Sequence, residues 1–563
     1  MEKRVFLAIF LSFGLLALYQ AFVVPPAPAP PTAPTTQATP AATPTAGAPS
    51  ATNPASPLAQ AAAVTAPPVA PDAAARDIVV ETDAVRAVFS TQGATLTSWK
   101  LLGYLDAEGK PLELIPADLP PGAFPRPFTV STDDDAATKT LTSAVFEPSA
   151  DQLKLGSEPG TLTFQYRDST GLNARKAFYF QPNGQRFVVN VEISVDRNGT
   201  PKPVTINFGP AVGPGYAPSG STTGPTQAIY FLDGSVTRVT GANVQAQPRY
   251  EGELRYAGVE DHYFLAAALP AAPRSQADYA AVTLPVPGGP EGATRSLISF
   301  SIRPNPGAAP GQAVAVRFFI GPKDLDQLRM ADVQLTRAIN FGWFAKIVVP
   351  LLQALKWVNR YLGNYGWSII VLTILINILI FPLRHRSMVS MKKMQSLQPQ
   401  VKAIQDRYAK YKATDPEKQK MSAEMMALYK QKGVNPASGC IPMLLTFPIL
   451  LAFYNLLSAA IELRGAPFVG WIHDLAAKDP IYVWPVLMGA TMFWQQKMTP
   501  STADPVQQKI FMVLPLVFTV MFLNMPSGLV IYWLTSNILT IGQQYLTNHL
   551  IKSGTPAAAT RKA

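Results

Sequence analysis

Residues 366–383 read Gly366-Trp367-Ser368-Ile369-Ile370-Val371-Leu372-Thr373-Ile374-Leu375-Ile376-Asn377-Ile378-Leu379-Ile380-Phe381-Pro382-Leu383. Nothing in the stretch is charged, and about 20 mostly apolar residues in a helix are what a hydrocarbon core of roughly 30 Å demands. The run predicts a membrane span over about Trp367–Leu383. Working outward, comparable runs occur at Ile441–Ile461, Ile481–Gln496, Ile510–Met525 and Gly528–Leu550, and far upstream at Val5–Val24. Six spans are expected. A hydrophobic content of 48% with only 15% charged residues agrees, being more apolar than a soluble enzyme.

Charge sets the orientation. Lys3 and Arg4 precede the first run, which places the N-terminus in the cytoplasm. That run is long for a cleaved signal peptide, and the prolines from Pro25 onward suit a cleavage site poorly, so residues 1–24 are expected to stay as an anchor. The loop 384–439 carries 12 Lys+Arg against 4 Asp+Glu, whereas 462–480 has only Arg464 and Lys478 as basic residues. Basic short loops face the cytoplasm, so the tail 551–563 is cytoplasmic too, and the long segment between the first two spans is periplasmic. Residues 5–336 hold 22 basic against 27 acidic residues, the rest of the chain 25 against 9. The net +11 therefore belongs to the membrane half, where anionic lipid and topology account for it without nucleic acid. The single cysteine, Cys440, excludes an intramolecular disulfide.

Between these landmarks the composition changes sharply. Residues 25–77 are mainly Ala, Pro and Thr, which cannot bury a core and read as a disordered tether. Residues 78–335 alternate apolar and polar positions in short runs, such as Thr161-Leu162-Thr163-Phe164-Gln165-Tyr166, with turn residues such as Pro182-Asn183-Gly184 between them. Period two over this length predicts a large antiparallel β-sandwich. In 336–365, Ile347, Leu351, Leu352, Leu355 and Val358 recur at helical spacing among Lys346, Lys356 and Arg360, the pattern of an amphipathic helix in the membrane interface. Residues 366–550 form the spanning core, interrupted by 384–439, which reads as a helical hairpin. Leu397, Val401, Ile404, Tyr408 and Tyr411 stripe one arm; Met421, Met425 and Leu428 stripe the other. Asp415-Pro416 starts the second arm, and Pro399 is expected to kink the first.

Catalytic constellations are missing from the sequence. His262, His385, His473 and His549 are scattered with no metal-ligand spacing, no phosphate-binding loop occurs, and no cofactor is expected. The informative residues are polar ones within apolar runs, because an amide or hydroxyl in lipid must find a partner or water. Thr373 and Asn377 share a helix face, Thr491 and Gln495 repeat the spacing, and Asn455, Ser458, Tyr532, Ser536 and Asn537 add more. They line a wet groove or hydrogen-bond helix to helix, and spacing alone leaves both open. The spans at Ile481–Gln496 and Ile510–Met525 have about 16 residues each, roughly 24 Å, and point to a locally thinned bilayer. Met388, Met391, Met394, Met421 and Met425 give the hairpin a soft thioether surface, suited either to packing or to capture of varied apolar segments.

The membrane half resembles the YidC-type insertase family, which also has mitochondrial and chloroplast members. Residues that carry the resemblance include Gly366-Trp367-Ser368-Ile369-Ile370, Pro382-Leu383, Leu397-Gln398-Pro399, Glu424-Met425-Met426-Ala427-Leu428-Tyr429-Lys430 and Val434-Asn435-Pro436. Further on come Glu462-Leu463-Arg464, Pro467-Phe468, Trp471-Ile472-His473-Asp474-Leu475, Asp479-Pro480 and Pro526-Ser527-Gly528-Leu529. The resemblance implies a polytopic α-helical inner-membrane protein of six spans, with a five-helix core around a hydrophilic groove and a large periplasmic β-sandwich. It implies a non-enzymatic insertase and folding chaperone for nascent membrane proteins, acting alone or with the Sec translocon and its accessory subunits, with the ribosome or signal recognition particle as further partners. A secondary transporter or channel is the alternative reading of the same polar residues. The family's groove arginine falls at Asn377 here, and its third-span glutamine at Thr446. The expected groove is thus polar but uncharged, lined by Thr373, Asn377, Gln495, Tyr532 and Trp533, with the methionine hairpin as capture element.

Overall fold

The computed structural model describes residues 74–553, apart from 107, 117, 120–123, 211, 213–225, 273, 287–293, 305–312, 412–414, 434–440 and 499–504. The expected anchor, nearly all of the tether and the tail from 554 lie outside the described residues.

The first half is a β structure of three sheets. In Val189–Val195 odd positions are buried and even ones partly exposed, as one buried face per strand requires. The ten-stranded sheet pairs Val188–Arg197 antiparallel with Leu172–Phe180 and with Val314–Pro322, setting Val191 opposite Phe178 and Val316. Register therefore puts Phe178 and Phe318 on the same face. Both five-stranded sheets cover that face: Phe89 lies 4.7 Å from Phe178, and Phe208 lies 5.5 Å from Phe318, centroid to centroid. The β-sandwich is antiparallel except where Asp77–Thr82 runs parallel to Gln152–Gly156.

One cation sits inside this core. Lys176 is 1% exposed, and its Nζ donates to the carbonyls of Gly93 (2.6 Å) and Phe128 (2.8 Å), tying two loops to the central sheet. Burial pushes its pKa down to about 7.

The second half is helical: α1 (Ala345–Leu362), α2 (Tyr365–Ser396), α3 (Gln398–Arg407), α4 (Pro416–Gln431), α5 (Ile441–Ala459), α6 (Val483–Met498), α7 (Pro505–Phe522) and α8 (Ser527–Ser553). Among the described residues α2 is the helix long and apolar enough to cross a membrane by length and composition alone. It runs through Pro382 and past Leu383 without a break, so the first arm of the hairpin begins as its extension. The chain turns at Leu397, and Pro399 stands in the first turn of α3, where a missing N–H costs nothing. The expected kink is a helix start. Asp415 caps α4 through a bond from the Glu417 amide, 3.0 Å. Helix α1 buries Val348, Leu352, Leu355 and Val358 and leaves Trp357 and Tyr361 exposed, as is Trp343 just before it. Ile347, expected in the apolar stripe, is on the exposed side.

Polar contacts join the two halves. Lys356 of α1 meets Asp326 (2.6 Å) and Asp324 (3.2 Å) from the end of the β region, and Glu462 (3.1 Å) from the segment after α5. Burial works against the ammonium, but the bond to Asp326 and the fields of Glu462 and Asp324 outweigh it and raise the Lys356 pKa. The His262 ring donates from Nε2 to Ser458 O at 2.6 Å, on the last turn of α5. Beside it lies a cavity of about 260 Å³ lined by Arg238, Glu260, Lys323 and Asn455 among others.

Lys176 yields a pH prediction. Between about 7 and 10.5 the unfolded chain holds a proton that the folded domain has released, so the wild-type β domain gains stability as pH rises through that window. Lys176→Met removes this gain. Hydrogen exchange of amides in Leu172–Phe180, followed in the intact chain from pH 7 to 9, should climb in protection by roughly 1 kcal/mol per pH unit more in wild type than in the variant.

Candidate functional site

Thr373 and Asn377 stand one turn apart on α2. Thr373 is fully buried, and its hydroxyl donates to Ile369 O at 2.6 Å within its own helix. Asn377 is half-buried; its Nδ2 donates to Thr373 O at 2.8 Å, which turns Oδ1 outward. That oxygen accepts from Arg384 Nη1 at 2.7 Å, and the same nitrogen lies 3.2 Å from Thr540 Oγ1 of α8. Tyr532, two turns from Thr540, is near enough to interact electrostatically with the guanidinium. A guanidinium thus lies beside Asn377, where the sequence reading expected only uncharged polar groups. Positions 377 and 384 are seven residues apart, two helical turns, so they share a face once α2 continues past Leu383. The signal was in the spacing; placing Arg384 in a loop hid it.

Other polar residues turn out to join helices. Asn537 Nδ2 donates to Thr491 Oγ1 (3.1 Å), linking α8 to α6, and Asn455 Nδ2 donates to Phe341 O (3.3 Å). Gln495 is half-buried one turn beyond Thr491. Tyr532 is buried and stacks on Phe453 of α5 at 4.2 Å. Trp533 points about 100° further round α8 and packs on Phe518 and Phe522 of α7, at 5.7 and 4.8 Å. Asn377 thus contacts Arg384, with Tyr532 near it, Thr373 is linked only through Asn377, and Trp533 faces another helix.

The hairpin arms pair through Tyr408, whose hydroxyl donates to Glu424 at 3.2 Å, and through the apolar contact of Met394 and Leu397 with Tyr429. Met394 is buried there; Met388, Met391, Met421 and Met425 are half-buried, and Met426 is exposed. Met388, Met391 and Met394 all belong to the extension of α2.

At the opposite end of α2 the sequence motifs build a cap. A Cβ on Gly366 would sit inside the Phe468 ring, so only glycine lets the loop approach. Asn364 Nδ2 holds Pro467 O at 3.1 Å. The fully buried Asp479 carboxylate accepts from Trp471 Nε1 (2.9 Å), Ile481 N (3.1 Å) and Trp484 N (2.8 Å). Amides of Ser527 and Gly528 bind Ala477 O and Leu475 O at 2.7 and 2.9 Å. Two backbone amides and an indole N–H thus satisfy a buried carboxylate at this end of the helices, while the Arg384 end lacks such a loop among the described residues.

A long apolar helix beside a β-rich domain is the layout of a membrane protein with a large extramembrane domain. Comparison with known proteins agrees. Residues 77–354 match the model of the YidC periplasmic domain, and 357–554 that of the 60Kd inner membrane protein. The chain is 38% identical to the membrane protein insertase YidC of Geobacter metallireducens over 566 residues, 98% of this chain and 99% of that one. It is 39% identical to that of Geobacter sulfurreducens over 492 residues, 84% and 86% of the two chains. A crystal structure of an active YidC insertase aligns with 83% of this chain and 91% of its own, at 19% identity and a TM-score of 0.34. The chain belongs to the YidC family of membrane protein insertases. It is accordingly a non-catalytic protein, and the transporter or channel reading finds no support.

Burial along α2 predicts a labelling pattern. In a Cys440→Ser background, cysteine at 377 should react with an aqueous maleimide in native membranes at least ten times faster than cysteine at 373. Labelling at 377 as slow as at 373 would mean that the face at Asn377 is dry.

Proposed function

We propose that this insertase moves hydrophobic segments of nascent membrane proteins from the cytoplasm into the inner membrane along a hydrated groove between α2 and α8. The observation that carries the reading is the line Thr373 O, Asn377, Arg384, Thr540: amide, guanidinium and hydroxyl groups facing one another between two apolar helices. A central Leu in a substrate helix gains about 0.3–0.6 kcal/mol on entering lipid, whereas each charged residue at mid-membrane costs about 2.5–3.5 kcal/mol. The apolar segment drives itself; its polar flank is the obstacle. Water and fixed dipoles held partway across lower that barrier, and the short α6 and α7, 16 and 18 residues, fit a thinned bilayer.

In this reading the protein has six spans, five of them (α2, α5, α6, α7, α8) forming the core, with both termini cytoplasmic. The hairpin and its methionines receive the substrate, and the capped periplasmic end stops ions from leaking through. The partners are nascent chains and the bilayer, with the Sec translocon, its accessory subunits and the ribosome or signal recognition particle as delivery routes; nucleic acid has no place in it.

A photo-crosslinking residue at 377 or 540 should capture a stalled nascent membrane protein, and the same residue at 533, packed on Phe518 and Phe522, should not. Capture from 533 as strong as from 377 would move the path to another helix pair.

A further inference from the structure

We infer that the cavity between the β domain and the end of α5 is a binding site for a phosphoethanolamine group, supplied by the zwitterionic headgroup of a phospholipid in the periplasmic leaflet. The site is independent of the groove and of the route a substrate takes.

The cavity is built on one face of three antiparallel strands. Gln227–Leu232 lies between Ser235–Thr240 and Leu254–Glu260, with Arg238 opposite Ile229, Ile229 opposite Gly258 and Gln227 opposite Glu260. Opposed residues share a face, as do alternate ones along a strand, so Gln227, Arg238 and Glu260 stand together. Arg238 also holds the chain that follows the β domain, donating from Nη2 to Ala338 O at 2.6 Å. Ile339 and Asn340 then form one side of the space, and Asn455 and Ser458 of α5 another. The bond from Asn455 to Phe341 O fixes these two walls to each other. The space amounts to about 260 Å³, against the roughly 10–15 Å³ that a single water needs. Helix α5 has 19 residues, about 28 Å, and is used up in crossing the hydrocarbon core, so its last turn lies among headgroups. Trp343, three residues past Asn340, is fully exposed, and so in large part is Tyr454 beside Asn455. Such aromatic side chains favour the membrane–water interface.

The lining carries charges of both signs. Glu260 is 3% exposed and accepts from Arg238 Nε at 2.6 Å and from Lys323 Nζ at 3.3 Å. One carboxylate thus serves two cations, which leaves N–H donors on both for an anion. Asp261 takes the amides of Tyr263 and Phe264 on Oδ1, at 2.8 and 2.6 Å, and keeps Oδ2 as a second acceptor. On the strand face of Glu260 the Tyr256 hydroxyl is buried with no hydrogen-bond partner among the described residues. Charges taken out of water in this way are stabilising only where their remaining protons and lone pairs are matched. A phosphodiester accepts from Arg238 and Lys323, and an ammonium two carbons away donates to Asp261. A group of one sign matches half of the lining and is repelled by the other half.

The test is a lipid titration of the full-length protein, purified in detergent and stripped of lipid, read by native mass spectrometry. Wild type should hold one phosphatidylethanolamine about ten times more tightly than phosphatidylglycerol, which lacks the amine, or phosphatidylcholine, whose ammonium has no N–H; that is the difference one charge-assisted hydrogen bond makes. Lys323→Gln removes a phosphate donor, and Ala459→Phe fills the cavity while leaving every charge in place. Each should bring retention of phosphatidylethanolamine down to the level of phosphatidylglycerol. Thermal unfolding checks that the variants fold; if Lys323→Gln does not, Ala459→Phe decides alone. Soluble glycerophosphoethanolamine, the same group without acyl chains, should compete only weakly. Competition as strong as that of the lipid would keep the chemistry and place its source in solution. Equal retention of the three lipids by wild type, or unchanged retention by Ala459→Phe, overturns the inference.

Discussion

The helical half is organised by one constraint: a polar group surrounded by lipid must be matched inside the protein or by water. Most of the hydroxyls obey it locally. Thr373, Thr519, Thr535 and Thr540 each donate to the carbonyl one turn back, at 2.6–2.7 Å, and so disappear as polar surface. Asn537 is matched across helices. Arg384 differs in kind, since it brings a guanidinium that reaches inward to Asn377 and Thr540. Hydrogen bonds to a charged group contribute about 1.5–3 kcal/mol each, and placing an arginine at a helix centre costs about 2.5–3.5 kcal/mol on the insertion scale. The two bonds to Asn377 and Thr540 are therefore of the size needed to hold the head inside.

Much of this was legible in the sequence because membrane helices and half-buried strands are written in periodicity. The apolar runs fell on α2, α5, α6, α7 and α8, the period-two region folded as sheets, and Asp415 capped its helix. What escaped depended on three-dimensional direction. Hydropathy ended the span at Leu383, where charge begins, yet helix propensity does not stop at a charge, and α2 continues to Ser396. Ending the span there kept Arg384 apart from Asn377, which it contacts. Pattern also named Tyr532 and Trp533 together, although adjacent helical residues diverge by about 100°, so at most one could face α2. The parallel pairing of Asp77–Thr82 was invisible because pairing partners far apart in sequence leave no local mark.

The β domain is attached to the helices by charge and carbonyl contacts as much as by apolar packing. Lys356 answers carboxylates from two segments, Asp324 and Asp326 on one side and Glu462 on the other. Glu462 Oε1 lies in ion-pair contact but off the hydrogen-bonding direction, and burial raises the Glu462 pKa despite the nearby ammonium. Such a junction is strong only while all its members remain. Removing one cation leaves buried carboxylates facing one another, which is more disruptive than an equal loss of apolar area. Lys356 itself belongs to α1, whose Trp357 and Tyr361 are exposed, so the junction fixes that helix against the β domain.

These features divide the work by end. Near Tyr365 the carboxylate of Asp479 and the amides of Ser527 and Gly528 are consumed in a cap of mostly backbone hydrogen bonds. Near Arg384 the polar atoms are side-chain groups of two facing helices, Asn377 and Arg384 on α2 and Thr540 on α8. On the proposed route a segment entering from the hairpin side meets side-chain partners first and the backbone cap last. Since apolar burial supplies the driving force and only the flank needs help, a groove open at one end and sealed at the other suffices: the flank has to be eased across part of the bilayer, and release into lipid finishes the step.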